Sequence, residues 1–563
     1  MDVPKNGSLI RRTPSIESQQ PIFKGVNRRA KGLSAAVDVR YTQEQGRHLV
    51  ANQPIPAGAV VLREYPFVAC LFDECSPYFC QCCMVAVYDA KDRIACEKCD
   101  DDKVIYCSVE CKQRDWDQQH RFECGPLRAL LAGVRLSMDS LLLAVRAVIR
   151  PPFNRLIRYM HEPDELIENP HGSVSGDSFD DIDSQYRSFT HLLSIDFGLS
   201  SEEDDAMWEI AACIVECLSL VHGDVVLDPD NWPKHLTTNQ METVLKWSLF
   251  WTLKRLPRNK QAIFEYDVHR HKHIEHSLEL NSGHKAVGVY VTQVMMNHSC
   301  LPNTHAVCGP YGIIEVRTLR PLKAGDEVYN CYGVKIGKDS RIARQHTLHS
   351  LYSFDCTCEA CIDTDFIIID AEMDAYFCPN CRALLNANRT NENCRSCEND
   401  TSEHYDDIEQ RLNDISRRID KFTPKTDVVL DIERDFESIS VEFHRNNRRV
   451  NGVRAELARL MHRCDYLTEA ERHYDIVQRV LQRHYGVASM KNAIALLRLA
   501  ECCHDSGNNE LFERSARRMI QIKILNLGAR RTRLLLEQNK LNHYLKLVEQ
   551  ESRAARSVIE NKS

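Results

Sequence analysis

No stretch of this chain approaches the ~20 consecutive apolar residues of a membrane-crossing helix, and its first residues carry no apolar core of the kind a secretory leader has. These two absences set the expectation of a soluble, intracellular protein with no membrane partner. Excess charge is lacking too. A net charge of −8 over 563 residues argues against nucleic-acid binding by bulk basicity. The basic pairs Arg28-Arg29, Arg448-Arg449 and Arg530-Arg531 read as solvated faces. Nor does any carboxylate–histidine pair argue for a dedicated general base. What the chain has in quantity is cysteine, 25 residues, and in a reducing compartment paired cysteines point to metal rather than disulfides.

The length exceeds what one core can fill, so three or four domains are expected. Residues 1–40 are polar and basic without periodicity and read as disordered. Within 41–79 a β-rich piece follows, with Gly46–Ala51, a turn at Ile55–Gly58 and a strand at Ala59–Glu64. Residues 80–124 hold four ligand pairs: Cys80/Cys83, Cys96/Cys99, Cys107/Cys111 and His120/Cys124. Each spacing lets two side chains reach one tetrahedral zinc from a single turn. The order of the pairs suggests interleaving, with Cys80, Cys83, Cys107 and Cys111 on one ion and Cys96, Cys99, His120 and Cys124 on the other. Four protein ligands close each site, which makes the zinc structural. Cys75 and Cys82 have no matching partner.

From 125 to 256 the pattern is helical, with apolar spacing at Leu127–Ile149 and Met207–Val221. The acidic runs Asp177–Asp183 and Glu202–Asp205 between them read as solvated loops, with steering of a basic peptide as the alternative. Strand signals return over 257–333, at Ala286–Gln293, Thr304–Cys308 and Ile313–Thr318. Leu322–Val328 repeats the turn-then-strand pattern of Ile55–Val61, so the two β-rich pieces should form one domain around an insert. In 334–400, Cys356, Cys358 and Cys361 are one ligand short of a tetrahedron, and Cys300 is the nearest spare thiol. Cys378, Cys381, Cys394 and Cys397 have the spacing of a zinc ribbon, making four zinc ions in all. Over 401–563 the chain is helical. The stripes Val453-Leu457-Leu460-Met461-Cys464 and Ala493-Leu496-Leu497-Ala500-Cys503, with Gly507 at a turn, fit either tetratricopeptide-style repeats or a plain bundle.

These elements stand in the order of a known family. The eight-ligand module Cys80–Cys124, the turn Asn297-His298-Ser299-Cys300-Leu301-Pro302-Asn303 and the run Tyr352–Cys361 resemble the SET and MYND domain family of protein-lysine methyltransferases. The ribbon and the segment Arg258–Ile263 make the chain most similar to its fourth-type members. Over residues 40–545 the resemblance implies a multidomain α+β fold. A split β-rich SET domain would carry an inserted MYND zinc module and a helical insert, followed by a zinc-bound post-SET region and an all-α, TPR-like C-terminal domain.

The resemblance also implies roles. Asn297, His298 and Asn259 would contact S-adenosylmethionine. Tyr332 would line the lysine channel at the transferring methyl as the catalytic residue, with Tyr352 and Phe354 closing the pocket. Family members usually carry G-x-G at the start of the domain; here the motif is Gly46-Arg47-His48, with a side chain where the second glycine would let backbone approach the cofactor. The turn is then expected to face Asn297 and His298 toward the cofactor and Cys300 away from them, toward zinc. A monomer acting on lysines of histone or non-histone proteins, in nucleus and cytoplasm, is the implied function. The other reading is an adaptor whose MYND module captures proline-rich or co-repressor partners, with the SET region as scaffold only.

Overall fold

The computed structural model describes residues 20–560 apart from 28–29, 31, 88, 100–102, 126, 155, 158–188, 191, 193–200, 266–282, 387–392, 422–425 and 539–540. The acidic run Asp177–Asp183 and the first 19 residues lie outside the described residues; the later part of the segment expected to be disordered is instead ordered, with Phe23, Leu33 and Ala36 buried and a strand beginning at Val37. Two compact units emerge. The first comprises Met1–Tyr266, Ser282–Asn297 and Thr304–Val328; the second comprises Asp267–Asn281, His298–Asn303 and Tyr329–Ser563. The chain therefore passes from one unit to the other at the peptide bond between Asn297 and His298.

In the first unit, β1 (Val37–Thr42) and β2 (Gly46–Ala51) form a hairpin. Its short loop ends on Gly46, whose φ of +63° suits the left-handed position such a turn requires. β3 (Val60–Glu64) pairs antiparallel with β10 (Ile314–Thr318), which pairs with β9 (Thr304–Cys308). β5 (Ile94–Ala95) pairs with β6 (Ile105–Tyr106), and β4 (Val68–Leu71) pairs with β8 (Gly283–Val289), which pairs with β7 (Lys260–Glu265). Early and late β-rich pieces of the sequence are thus hydrogen-bonded together. Among the described residues three apolar clusters fill this unit; the smallest surrounds the cysteines of 80–124, and the other two are larger. One joins Leu49, Val61, Leu62, Ile314 and Val316. The other packs β4 and β8 against the helices Met138–Ile149, Ser201–Val226 and Thr238–Asn259.

Four local expectations are corrected. The strand expected at Ala286–Gln293 stops at Val289. The Glu64 carboxylate accepts the Thr292 and Gln293 N–H groups at 2.8 and 3.0 Å, removing donors a strand ladder would need. Leu322–Val328 keeps the expected turn, held by the Asp326 side chain accepting the Lys323 N–H, but in place of the strand it makes only the isolated bridges Ile55–Leu322 and Val50–Glu327. Leu127–Ile149 is two helices, Leu127–Leu131 and Met138–Ile149. The first ends in tightened turns at Gly133, and the second begins after Ser137. Glu202–Asp205 is no loop but the opening of the helix Ser201–Val226, where acidic side chains favour the positive end of the helix dipole. Asp204 also pairs with Lys254 at 2.9 Å.

The second unit runs from Tyr329 through the helices Arg341–Tyr352, Glu359–Ile362 and Thr364–Met373 to a short hairpin, β11 (Ala375–Phe377) with β12 (Leu384–Asn386). Among the described residues eight α-helices then follow between Ser402 and Glu560, each of the central four packing on the next. Val453, Leu457, Leu460 and Met461 are buried on Arg448–Arg463, as are Ala493, Leu496, Ala500 and Cys503 on Met490–Ser506. Cys464 and Leu497 are partly buried beside them. Gly507 caps the latter helix with φ +78°. No described helix is long and apolar enough to cross a membrane.

Candidate functional site

Among the described residues four groups of four cysteine or histidine ligand atoms converge, the atoms of each group lying within 4.8 Å of one another. Cys80, Cys83, Cys107 and Cys111 form one, with Cys83–Cys107 and Cys107–Cys111 sulfurs 3.5 and 3.6 Å apart. Cys96, Cys99, His120 and Cys124 form the next; Cys96–Cys124 and Cys99–His120 Nε2 are each 3.6 Å apart. The interleaving expected from spacing is what the chain adopts. Cys300 meets Cys356, Cys358 and Cys361, with Cys300–Cys361 at 3.6 Å. Cys378, Cys381, Cys394 and Cys397 complete the ribbon, with pairs at 3.5 and 3.6 Å. Cys75 and Cys82 belong to none of the four sets.

These separations fit a metal. Four sulfurs at ~2.3 Å from one zinc lie about 3.8 Å apart along the tetrahedron's edges. Four protein ligands leave no open position, so the centres are structural. Local sequence builds them. Ser108 caps the helix Val109–Gln118 by accepting the Cys111 N–H at 3.2 Å, which sets Cys107 and Cys111 on one turn. Cys300 donates its N–H to Cys358 Sγ at 3.3 Å, and hydrogen bonding from the Cys300 thiol and its neighbours pulls the Cys358 thiol down toward thiolate. Elemental analysis of the purified chain is expected to give four zinc ions; two or three would show that a cluster does not load.

Around the centres sit buried charges that sequence reading missed. In the first unit, Arg146 clamps Glu123 through both carboxylate oxygens at 2.5 and 2.8 Å and reaches the Ala69 carbonyl at 2.5 Å. Glu123 precedes the ligand Cys124, so this pair ties a metal centre to β4 and the helix Met138–Ile149. In the second unit, Arg344 clamps Asp370 at 2.9 and 2.8 Å and lies 3.9 Å from Cys361 Sγ. The only available sequence signal was an arginine among the polar residues of the helix Arg341–Tyr352.

The residues assigned to a cofactor fall on both sides of the Asn297–His298 bond. In the first unit Asn297 donates its side-chain N–H to the Gln45 carbonyl at 3.2 Å, beside Gly46. A Cβ added at Gly46 would meet nothing within 4 Å. His48 is buried, and its Nδ1 lies 3.0 Å from the Gly46 carbonyl, so its ring folds back on its own strand. Burial pulls the Arg47 guanidinium below its ordinary range. Asn259 is also buried and donates to the Arg255 carbonyl at 2.7 Å, one turn back in its helix.

In the second unit His298, Tyr332, Tyr352 and Phe354 come together. Ring centroids are 5.3 Å apart for His298–Tyr332, 6.3 Å for His298–Phe354 and 4.7 Å for Tyr332–Tyr352. His298 Nδ1 accepts the Tyr332 backbone N–H at 3.0 Å. An amide can only donate, so Nδ1 carries no proton and the neutral ring is protonated at Nε2. That Nε2 lies 3.2 Å from Cys300 Sγ. His298 therefore does not point away from the metal ligand, as expected, but donates to it. Burial lowers its pKa to about 4, and the nearby Arg344 acts the same way.

The chain belongs to the SET-domain family, whose SET domain model matches residues 46–333, just over half of its length. Its relatives carry the expected second name as well. It is similar to Protein-lysine N-methyltransferase SMYD4 of Mus musculus, 25% identical over 450 residues, covering 70% of this chain and 54% of that protein. A SET and MYND domain-containing protein of Dictyostelium discoideum is 23% identical over 347 residues, covering 58% of this chain and 59% of that one. Protein-lysine N-trimethyltransferase SMYD5 of Mus musculus is 23% identical over 384 residues, covering 60% and 88%. The chain thus spans about half the length of mouse SMYD4.

Proposed function

We propose that this chain is an S-adenosylmethionine-dependent protein-lysine N-methyltransferase acting on histone or non-histone proteins. The observation that carries the reading is the gathering of Tyr332, Tyr352 and Phe354 around His298. The names of the mouse relatives support it. S-adenosylmethionine would supply an electrophilic methyl group on a sulfonium. By family motif the residues that would meet it are Gly46, Arg47, His48, Asn259, Asn297, His298, Tyr332, Tyr352 and Phe354.

The chain's own task is to present a neutral amine in line. A free lysine has a pKa near ~10.4, and aromatic walls disfavour its ammonium form by desolvation. Tyr352 and Phe354 would provide those walls and exclude water. The Tyr332 hydroxyl would orient the amine lone pair, a positional gain that needs no separate base.

The organisation proposed around this chemistry is a SET domain in two pieces, 41–79 and 257–333, with a MYND-type module at 80–124 and a helical insert at 125–256. A zinc-bound post-SET region at 334–400 and a TPR-like array at 401–563 would complete it. The MYND-type module would recruit proline-rich partners and the array would offer a peptide surface. Titration calorimetry on zinc-replete protein is expected to show S-adenosylmethionine binding in the submillimolar range. No heat of binding there would refute the enzymatic reading and leave a recruiting module. Tyr332→Phe should bind the cofactor normally and transfer methyl about tenfold more slowly, the worth of one hydrogen bond to the reacting group. Unchanged transfer would remove Tyr332 from that role.

A further inference from the structure

We infer that His298 is a positioning residue that couples the Cys300 metal centre to the backbone of Tyr332, so that loading of the centre holds the Tyr332 turn in place. Its consequence for catalysis rests on the transferase reading above; the coupling itself does not.

Three consecutive residues hold the segment that carries Tyr332. The Ser299 N–H donates to the Asn330 carbonyl at 2.9 Å. The His298 Nδ1 accepts the Tyr332 N–H at 3.0 Å. The Cys300 carbonyl accepts the Ile336 N–H at 3.0 Å. Two of these points are backbone to backbone. The middle one, at Tyr332 itself, passes through an imidazole whose other nitrogen is 3.2 Å from a metal-ligand sulfur. Cys300 is fully buried and His298 is 7% exposed, so little water competes for either bond.

The state of the sulfur decides the strength of the far bond. A metal-bound thiolate is an acceptor only, and its charge strengthens the bond from Nε2–H. A protonated thiol in an empty centre is a weak acceptor with a hydrogen of its own to place. Losing the metal therefore weakens the bond that fixes the ring's tilt, and the ring's tilt fixes whether Nδ1 meets the Tyr332 amide. In the opposite direction, removing the imidazole leaves Cys300 without a donor that stabilises its thiolate. Partners that orient and charge-balance a ligand in this way are typically worth 10–100-fold in metal affinity.

The test uses the full chain loaded with zinc and two variants, His298→Ala and His298→Gln. The glutamine side chain offers an acceptor for the Tyr332 amide and a donor for the sulfur. Two readouts need no cofactor: release of zinc to a chromogenic chelator, and hydrogen exchange at the Tyr332 amide read by mass spectrometry. In His298→Ala one of four zinc equivalents should leave about tenfold faster, and Tyr332 exchange should rise at least as much. In His298→Gln both should move back toward the parent chain. Retention of the other three ions shows that the variant is folded. Zinc release at the parent rate, or unchanged Tyr332 exchange, would overturn the inference. Absence of methyl transfer in the parent chain would refute the transferase reading and leave both readouts as they are.

Discussion

Replacing Arg344 with methionine is expected to destabilise the second unit by about 3–5 kcal/mol, the usual cost of orphaning one partner of a buried ion pair. Arg344 is completely enclosed. It satisfies both oxygens of Asp370 and donates to the carbonyls of Asp339 and Ala360 at 2.8 and 3.1 Å. Burial pushes the Asp370 carboxyl up, and Arg344 works against that push. Its position beside Cys361 adds a second role, because four thiolates around one divalent ion leave a net charge of −2 in a dry interior. Without the guanidinium that charge and the Asp370 carboxylate would repel each other unscreened. Urea unfolding at saturating zinc checks the size. The double variant Arg344→Met, Asp370→Leu should recover much of the loss, since replacing both partners removes the orphan. A single variant as stable as the parent would show that the pair contributes nothing.

Acid should weaken the same unit before its carboxylates titrate. His473 and His484 are buried among the C-terminal helices. Burial lowers the His473 pKa to about 3, aided by Arg454 and Arg472 and opposed by Glu437. Glu433 also faces its Nε2 at 3.2 Å. Burial likewise lowers His484 to about 4, aided by Arg483 and Arg448 and opposed by the Asn446 backbone and Glu372. Both folded values lie below the unfolded ~6.5. Between them the unfolded chain binds a proton that the folded chain refuses, so stability is full above ~6.5 and falls as pH drops toward the folded values. At pH 5.5, one unit below the unfolded value, each histidine should cost about 1.4 kcal/mol. Cluster thiolates also protonate as pH falls, so the comparison must be between chains. His473→Gln and His484→Gln should each flatten the loss between pH 7.5 and 5.5 by about that amount. A slope identical to the parent's would show that the histidines are not held neutral.

The metal ligands were the most legible part of this molecule. Fifteen of the sixteen lie in closely spaced sets whose members reach one ion from neighbouring turns, a local property that spacing encodes. Cys300 is the exception, and simple counting of an incomplete set found it. Helical stripes such as Val453–Met461 were legible for the same local reason. Reading failed where a distant group redirects the backbone. Gln293 looks like the end of an alternating strand, but Glu64 takes its N–H from far upstream. Glu202–Asp205 looks like a solvated loop, but it opens a helix and Asp204 meets Lys254.

The turn from Asn297 to Asn303 shows the same division most sharply. The downstream cysteines were enough, by counting, to mark Cys300 as a ligand, whereas His298 was marked only through the family resemblance. That the two touch, with one imidazole nitrogen at Cys300 Sγ and the other on the Tyr332 amide, is a property of the folded chain. Spacing of two along a chain does not say which way either side chain turns. That is set by which buried donors and acceptors remain to be satisfied once Asn330, Tyr332 and Ile336 have been brought alongside. Local spacing along the chain was enough to set the kinds of centre this protein builds and to point to its family. The fold decided which groups listen to those centres, because such couplings are made between residues that are neighbours only in space.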